Sequence, residues 1–242
     1  MRQHEAVIQT IESLGGIATL GQINQTIFKI KECDWKTKTP FASIRRIVQL
    51  HKSIYKIKPG LYALKKYKDR FSQQHIVTDN PNDLKKSEEF SHSYYQGLIL
   101  EIGHMKGFET YVPAQDKNKL FLNKPLKEVS SMNKIYDFTY QSLVNRAKTI
   151  DVIWFNEKKL PSSVFEVEHS TNMQNALLKF NELRDFYAKF YIVSPCARKV
   201  EFYERLNYSA FNEIKNRVIF RDYEYISSFH TKISELYALE QL

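Results

Sequence analysis

The sequence predicts an α/β protein, α+β in overall arrangement, with a small N-terminal module of helices closed by a β-hairpin and a larger C-terminal mixed sheet flanked by helices. Three observations predict it. Segments of helical period and short runs of β-branched and aromatic residues follow one another along most of the chain. Charge divides the chain: 36 Lys and Arg stand against 27 Asp and Glu, yet residues 1–70 hold 14 basic and 5 acidic side chains and the remainder holds 22 of each. The whole excess of +9 belongs to the first module, which suits a polyanion there and a separate task in the neutral one. Residues 69–88 are polar, contain Asn80-Pro81 and follow neither period. The expected division is therefore 1–68, a linker over 69–88, and 89–242.

Length and composition narrow the class. A chain of 242 residues with 43% hydrophobic and 14% aromatic side chains has ample core material and is not a disordered polymer. Its two cysteines, Cys33 and Cys196, lie in no metal-type spacing, so neither a disulfide framework nor a structural zinc is expected. The N-terminus lacks a signal-peptide core and no apolar run approaches the ~20 residues that span a bilayer. A cytoplasmic protein with no membrane association is expected.

In the first module, Ala6, Ile8, Ile11 and Leu14 share a helical face that Gly15-Gly16 terminates. IATLGQINQTIFKI reads as a short strand and a second helix with Leu20, Ile23 and Ile27 inward. Thr39 as N-cap and Pro40 at the first helical position open a third helix over 40–52, with Phe41, Ile44, Ile47 and Val48 on its inner side. IYKIK, Pro59-Gly60 and LYALKK then form a hairpin.

Helix, strand, helix, helix, hairpin is the order of a winged helix-turn-helix. Through GGIATLGQIN, TPFASIRRIVQ and IYKIKPGLYAL, residues 1–68 resemble the HARE-type winged-helix domains found on restriction and chromatin proteins. The expected partner is double-stranded DNA. The third helix would enter a major groove with Lys38, Ser43, Arg45, Arg46, Gln49 and Lys52, while Lys56, Lys58, Lys65 and Lys66 of the wing would touch phosphates. Winged helices also serve purely as protein-contact modules, with such lysines as ordinary solvated charge.

The second module opens on a helix over 88–105 with Tyr95, Leu98, Ile102 and Met105 as its inner stripe and Glu101 beside it. ETYVPA and KLFLN read as strands or edge pieces. KTIDVIWFN is a strand, NEKKLPSS a connecting turn and SVFEVEHS the returning strand. Period two puts Asp151 on a face with Ile153 and Phe155, and Glu166 with Glu168. Three carboxylates thereby meet at the ends of two paired strands. Like charges repel and resist burial, so such a cluster implies bound cations. Two glutamates at i, i+2 are also what the solvent face of an edge strand presents. A helix over 172–188, with Met173, Leu177, Phe180, Leu183 and Tyr187 inward, and a strand over 189–194 follow. A further strand or two and a closing helix complete the chain.

Asp151, 14 intervening residues and Glu-x-Glu at 166–168, set between an acidic helix and a helix–strand unit, resemble the active site of the PD-(D/E)XK nucleases in their Glu-x-Glu variant. That variant occurs in some type II restriction endonucleases. The likeness covers most of residues 88–195. It implies that Asp151 and Glu166, with the Val167 carbonyl, ligate Mg²⁺, for which Mn²⁺ substitutes. It further implies that Glu168 positions or deprotonates the attacking water, and that Glu101 supports a second metal or its water shell. Two departures stand out. Ile150 precedes Asp151 where the name-giving motif has proline, and Glu168 stands where most members carry lysine. The second bears on mechanism, because a carboxylate accepts a proton or holds a metal but cannot stabilise developing negative charge.

His169 would touch a phosphate or anchor the strand-to-helix turn. Ser170, Thr171 and Asn172 are candidate N-caps, and Gln174 would face the metal site from the next helix. The YVPAQ segment, Lys117, Lys119, Arg146, Lys148, Lys158 and Lys159 are candidate DNA-backbone contacts, and equally ordinary surface. The expected function is a Mg²⁺-dependent endodeoxyribonuclease of restriction type. The alternatives are a repair or mobile-element nuclease, an RNA nuclease, and a winged-helix regulator with a degenerate nuclease-like domain. A homodimer or a monomer that nicks each strand in turn would both produce double-strand cuts. No Walker loop, nucleophile elbow or HExxH occurs.

Overall fold

The computed structural model describes residues 1–73 and 84–241. The chain divides into two compact units, residues 1–87 with 227–242 and residues 88–226.

The first unit runs α1 (Gln3–Ser13), β1 (Ile17–Thr19), α2 (Leu20–Thr26), α3 (Pro40–Leu50), β2 (Ile54–Lys58), β3 (Leu61–Leu64) and α4 (Lys68–Gln73). Gly15 and Gly16 take φ of 93° and 87°, the left-handed backbone that stops α1 at low cost. Thr19 and Gln22 close a reciprocal capping box on α2. Thr39 occupies the N-cap of α3 but its hydroxyl makes no capping bond, so Pro40 is the start signal that operates. Gly60, at φ 68°, turns β2 into β3, and the sheet has the order β1-β3-β2, antiparallel throughout. Ala6, Ile11, Leu20, Ile23, Ile27, Ile44 and Val48 form its core, with Ile8, Leu14, Phe41 and Ile47 half-buried against it.

Parts of the segment expected as a linker over 69–88 are helical. Residues 68–73 are helical and the next described helix begins at Leu84, because polar residues at a helix end need no apolar stripe to remain helical. Asn80-Pro81 lies outside the described residues.

The second unit comprises α5 (Leu84–Met105), β4 (Glu109–Tyr111), β5 (Leu120–Phe121), β6 (Lys124–Pro125), α6 (Leu126–Val129), α7 (Gln141–Ala147), β7 (Val152–Phe155), β8 (Pro161–Val167), α8 (Met173–Glu182), β9 (Lys189–Ser194), α9 (Lys199–Leu206) and β10 (Val218–Asp222). α10 (Tyr223–Glu240) closes the chain, its residues from Ser227 on grouping with the first unit. The five strands take the order β10-β9-β8-β7-β4, with β8 parallel to β9 and antiparallel to β7. The expected mixed sheet flanked by helices is borne out, with β8 at its centre. One face packs Ile153, Phe155, Val164, Phe190 and Ile192 against Ala176, Leu177 and Phe180 of α8. On α5, Tyr95, Leu98 and Ile102 are buried as the stripe predicts, and Tyr94, Gln96 and Ile99 are buried as well, so this helix is enclosed on more than one side. α8 ends at Glu182, six residues before the expected end, so Tyr187 is fully exposed rather than part of its inner stripe.

Candidate active site

Val152 pairs with Phe165 across the β7–β8 ladder, which sets Asp151, one residue earlier, opposite Glu166. β8 is the central strand, so Glu166 and Glu168 are not on a solvated edge: they are 2% and 6% exposed, and Asp151 is 7% exposed. A bond from the Val167 N–H to Asp151 Oδ2, 2.7 Å, ties the aspartate to the strand that carries both glutamates.

Each carboxylate has its own surroundings. Both oxygens of Glu166 accept from Lys179 Nζ on α8, at 2.8 and 2.9 Å, and the same ammonium donates to the Thr149 carbonyl at 2.9 Å. Burial pushes the Glu166 carboxyl well above its usual range, Asp151 adds to this, and the ammonium of Lys179 opposes both. Glu168 accepts from the Thr171 hydroxyl. Burial raises its pKa too, the Thr171 bond counteracts this, and Asp151 adds a smaller upward push. The Glu168 backbone is fixed by a 2.8 Å bond to the Val193 carbonyl, and its own carbonyl accepts from Ser194 Oγ at 2.6 Å and Arg198 Nη1 at 3.1 Å.

Asp151 Oδ1 faces α5 instead. His92 Nε2 lies 3.5 Å from it and 3.8 Å from Asp116 Oδ2. Gln96, one turn after His92, donates from Nε2 to Asp116 Oδ2 at 2.7 Å and to the Asp151 carbonyl at 3.3 Å. Lys119 Nζ holds the other Asp116 oxygen at 2.6 Å. Burial lowers the His92 pKa, but the Asp116 and Asp151 carboxylates outweigh it and bring the group up to about 10. For Asp116, burial works upward, and His92, Lys119 and Gln96 together hold the carboxyl well below its usual range. Among the described residues, His92, Asp116 and Asp151 are the group whose ligating atoms all lie within 4.8 Å of one another.

The expected residues are therefore brought together in part. Asp151, Glu166, Val167 and Glu168 meet at one end of β7 and β8. Glu101 does not join them: it lies nine residues beyond His92 on α5, about 14 Å further along a helix axis. The nearby anchor confirms the direction, since Trp154 Nε1 bonds the Ile99 carbonyl and so runs with α5 away from Asp151. His169 Nδ1 is 3.2 Å from the Tyr223 hydroxyl and its ring stacks on that phenol, which in turn stacks on Tyr95 at 3.7 Å. Burial above all lifts the Tyr223 pKa far above its ordinary value. Asn172 is the residue that caps α8, through its bond from Gln174 N, and the Gln174 side chain is half-buried. Ser170 instead bonds Glu88. Among the candidate backbone contacts, Tyr111, Val112 and Pro113 are buried, and Lys119 is engaged by Asp116.

His92, Gln96, Asp116 and Lys179 escaped sequence reasoning. A weak signal exists for two of them. Lys179 follows Ala176 by three and precedes Leu183 by four, the spacing of buried positions, and His92 and Gln96 share a helical face at i, i+4.

In the first unit, Lys38, Arg46, Gln49, Lys52, Lys56, Lys65 and Lys66 are exposed and Ser43 is half-buried. Arg45 Nη2 is paired at 2.8 Å with Glu235, Lys66 is paired with Glu12, and burial lowers the pKa of the half-buried Lys58.

The fold and site together define a mixed α/β sheet, flanked by helices, whose central strand brings buried acids to one strand end. Residues 73–241 match the model of the type II restriction enzyme NmeDI C-terminal domain family, and the chain belongs to that family. Among curated proteins it is similar to the type II restriction enzyme NmeDI of Neisseria meningitidis serogroup C, 26% identical over 158 residues. The match takes in 61% of this chain and 42% of that enzyme, so the chain spans under half the relative's length. No solved structure matches it. Among the described residues, no helix is long and apolar enough to cross a membrane.

Proposed function

We propose that this protein is a divalent-metal-dependent endodeoxyribonuclease of restriction type, with the PD-(D/E)XK arrangement at Asp151, Glu166 and Glu168 and a winged helix in residues 1–68 that binds DNA. The observation that carries the reading is the burial of Glu166 and Glu168 on the central strand beside Asp151, with carboxyl pKa values raised by that burial. Leaving such acids uncompensated costs several kcal/mol, on the order expected for buried ions. Oxygen donors from Asp151, Glu166 and the Val167 carbonyl fit Mg²⁺ or Mn²⁺.

Asp151, Glu166 and the Val167 peptide would hold the ion. When bound, Mg²⁺ supplies Lewis-acid stabilisation of the phosphate and lowers the pKa of a coordinated water. The chain's own groups do the rest. Glu168, oriented by Thr171, accepts the proton of the attacking water. Lys179 would bring, from the neighbouring helix rather than the strand, the positive charge that most PD-(D/E)XK nucleases take from a lysine at the position corresponding to 168. Exposed Lys38, Arg46, Gln49, Lys52 and Lys56 supply the basic surface that a DNA backbone requires. The relative's name, a type II restriction enzyme, supports DNA as the substrate.

The test is cleavage of unmethylated and methylated phage DNA with Mg²⁺, followed by sequencing of the product ends. Metal-dependent cutting that is lost in Asp151→Ala is expected, and cutting that survives this substitution would sink the reading. One observation favours a second reading, a DNA-binding protein with an inactive nuclease-like domain: Lys179 already occupies both oxygens of Glu166. Under it, DNA binding persists in EDTA and no nicking appears with Mg²⁺ or Mn²⁺.

A further inference from the structure

His92 Nε2 lies 3.5 Å from Asp151 Oδ1 and 3.8 Å from Asp116 Oδ2. Direct N–H···O bonds are ~2.9 Å long, so both separations are too wide for good hydrogen bonds. As ion-pair distances they hold a protonated imidazole in the metal-free protein, and they also fit another arrangement. Two ligand atoms each about 2.1 Å from one ion, at tetrahedral or octahedral angles, stand roughly 3.0–3.5 Å from each other. The His92–Asp151 pair meets this spacing and the His92–Asp116 pair misses it by a few tenths of an ångström.

A second observation lies beside it. Gln96 is fully buried, and its amide touches both aspartates through Nε2, yet its Oε1 is buried without a hydrogen-bond partner. An orphaned buried amide oxygen is costly. A cation bound by three protein groups keeps waters, and those waters are donors that would satisfy Oε1. Lys119 holds the far oxygen of Asp116, and Oδ2, which accepts from Gln96, keeps a lone pair on the His92 side.

We propose that His92, Asp116 and Asp151, with Gln96 behind them, form a second cation site that prefers a first-row transition ion to Mg²⁺. Asp151 is its link to the carboxylates of β8: Oδ1 faces His92, and Oδ2 is held by the Val167 N–H. The nitrogen ligand sets the preference, since imidazole favours Mn²⁺, Zn²⁺ and their neighbours in affinity, whereas Mg²⁺ favours oxygen and water alone. Any part this ion plays in DNA cleavage rests on the nuclease reading above. Its binding does not.

Mn²⁺ is the probe. With the full chain and one equivalent of Mn²⁺, pulsed electron paramagnetic resonance is expected to show ¹⁴N coupling from an imidazole, retained under a hundredfold excess of Mg²⁺. His92→Gln is expected to abolish the coupling, and His92→Gln and Asp116→Asn each to weaken Mn²⁺ binding at least tenfold by calorimetry. Wild-type protein that binds Mn²⁺ without nitrogen coupling overturns the proposal, and this result does not depend on any variant folding. Coupling that persists in a folded His92→Gln, or that Mg²⁺ displaces at equal concentration, overturns it as well. The two readings fail separately. Nitrogen coupling without DNA cleavage removes the nuclease and leaves the site, and cleavage without nitrogen coupling removes the site alone.

Discussion

Lys179 Nζ donates to both carboxylate oxygens of Glu166, at 2.8 and 2.9 Å, from a helix that begins six residues after the strand carrying the acid ends. The ammonium is largely enclosed and the carboxylate nearly fully so. Removing one member of a buried pair leaves the other charge stranded, so Lys179→Met is expected to destabilise the protein by ~3 kcal/mol. Glu166→Gln in the same background should recover part of that loss. Denaturant unfolding of the two single variants and the double variant measures the coupling, and strict additivity would show that the pair contributes no interaction of its own.

The same lysine bears on the role proposed for Glu168. Under the proposed nuclease function, with Lys179 supplying positive charge, Glu168 would act as the proton acceptor, and Glu168→Gln is expected to reduce DNA cleavage by about 10²–10⁴-fold. Glu168→Lys introduces the residue most PD-(D/E)XK nucleases carry at the corresponding motif position, yet it should not preserve activity, because it adds a second cation beside Lys179 and Arg198 and removes the proposed acceptor. A Glu168→Lys protein that cuts as well as the wild type would assign the acceptor role elsewhere.

How far the sequence reaches is clearest at this strand pair. Alternation within a strand is local, so the faces shared by Glu166 and Glu168 and the pairing of 150–155 with 163–168 were legible from period and turn chemistry. Strand order is not local. Nothing in VFEVE says that β8 is central rather than an edge, and that placement is what turns two glutamates from a solvated face into a buried one. The choice of helix partner was hidden for the same reason. Glu101 and His92 are both polar residues on a helix enclosed on several sides, and only the packing of α5 across β7, visible in the Trp154–Ile99 bond, shows which end meets Asp151. Asp116 lies in a loop with no periodic signal at all.

The first unit carries a prediction about charge. Arg45 was expected to face DNA, and it is paired with Glu235 of α10 at 2.8 Å, while Asn24 Nδ2 donates to the same carboxylate oxygen at 3.3 Å. Glu235→Gln should release the guanidinium and tighten non-specific DNA binding a few-fold. Arg46→Ala and Lys52→Ala should each weaken binding and reduce the slope of log K against log salt by about 0.9. Fluorescence anisotropy across a salt series measures both. A slope unchanged in Arg46→Ala and Lys52→Ala would remove the helix from the DNA interface.

His92 makes the metal-free protein sensitive to pH in a definite direction. Its folded-state pKa of about 10 lies above the ordinary value of 6.5, so its pairing with Asp116 and Asp151 stabilises the fold fully below pH 6.5 and is lost as pH rises through 10. Glu166 acts with the same sign: burial raises its pKa, so ionising the carboxyl in the fold costs stability as pH rises above its ordinary 4.5 toward the folded value, a cost that the ammonium of Lys179 reduces. Asp116 has the opposite sign, its contribution being lost only as pH falls below 3.8 toward its depressed folded value. In EDTA, thermal stability should therefore decline from pH 6 to pH 10, by an amount on the order of a few kcal/mol. His92→Gln should be less stable than the wild type at pH 6 and approach it at pH 10, since the wild type has by then lost the same interaction. A constant gap between the two proteins across that range would mean that the His92 proton is not what holds the two aspartates together.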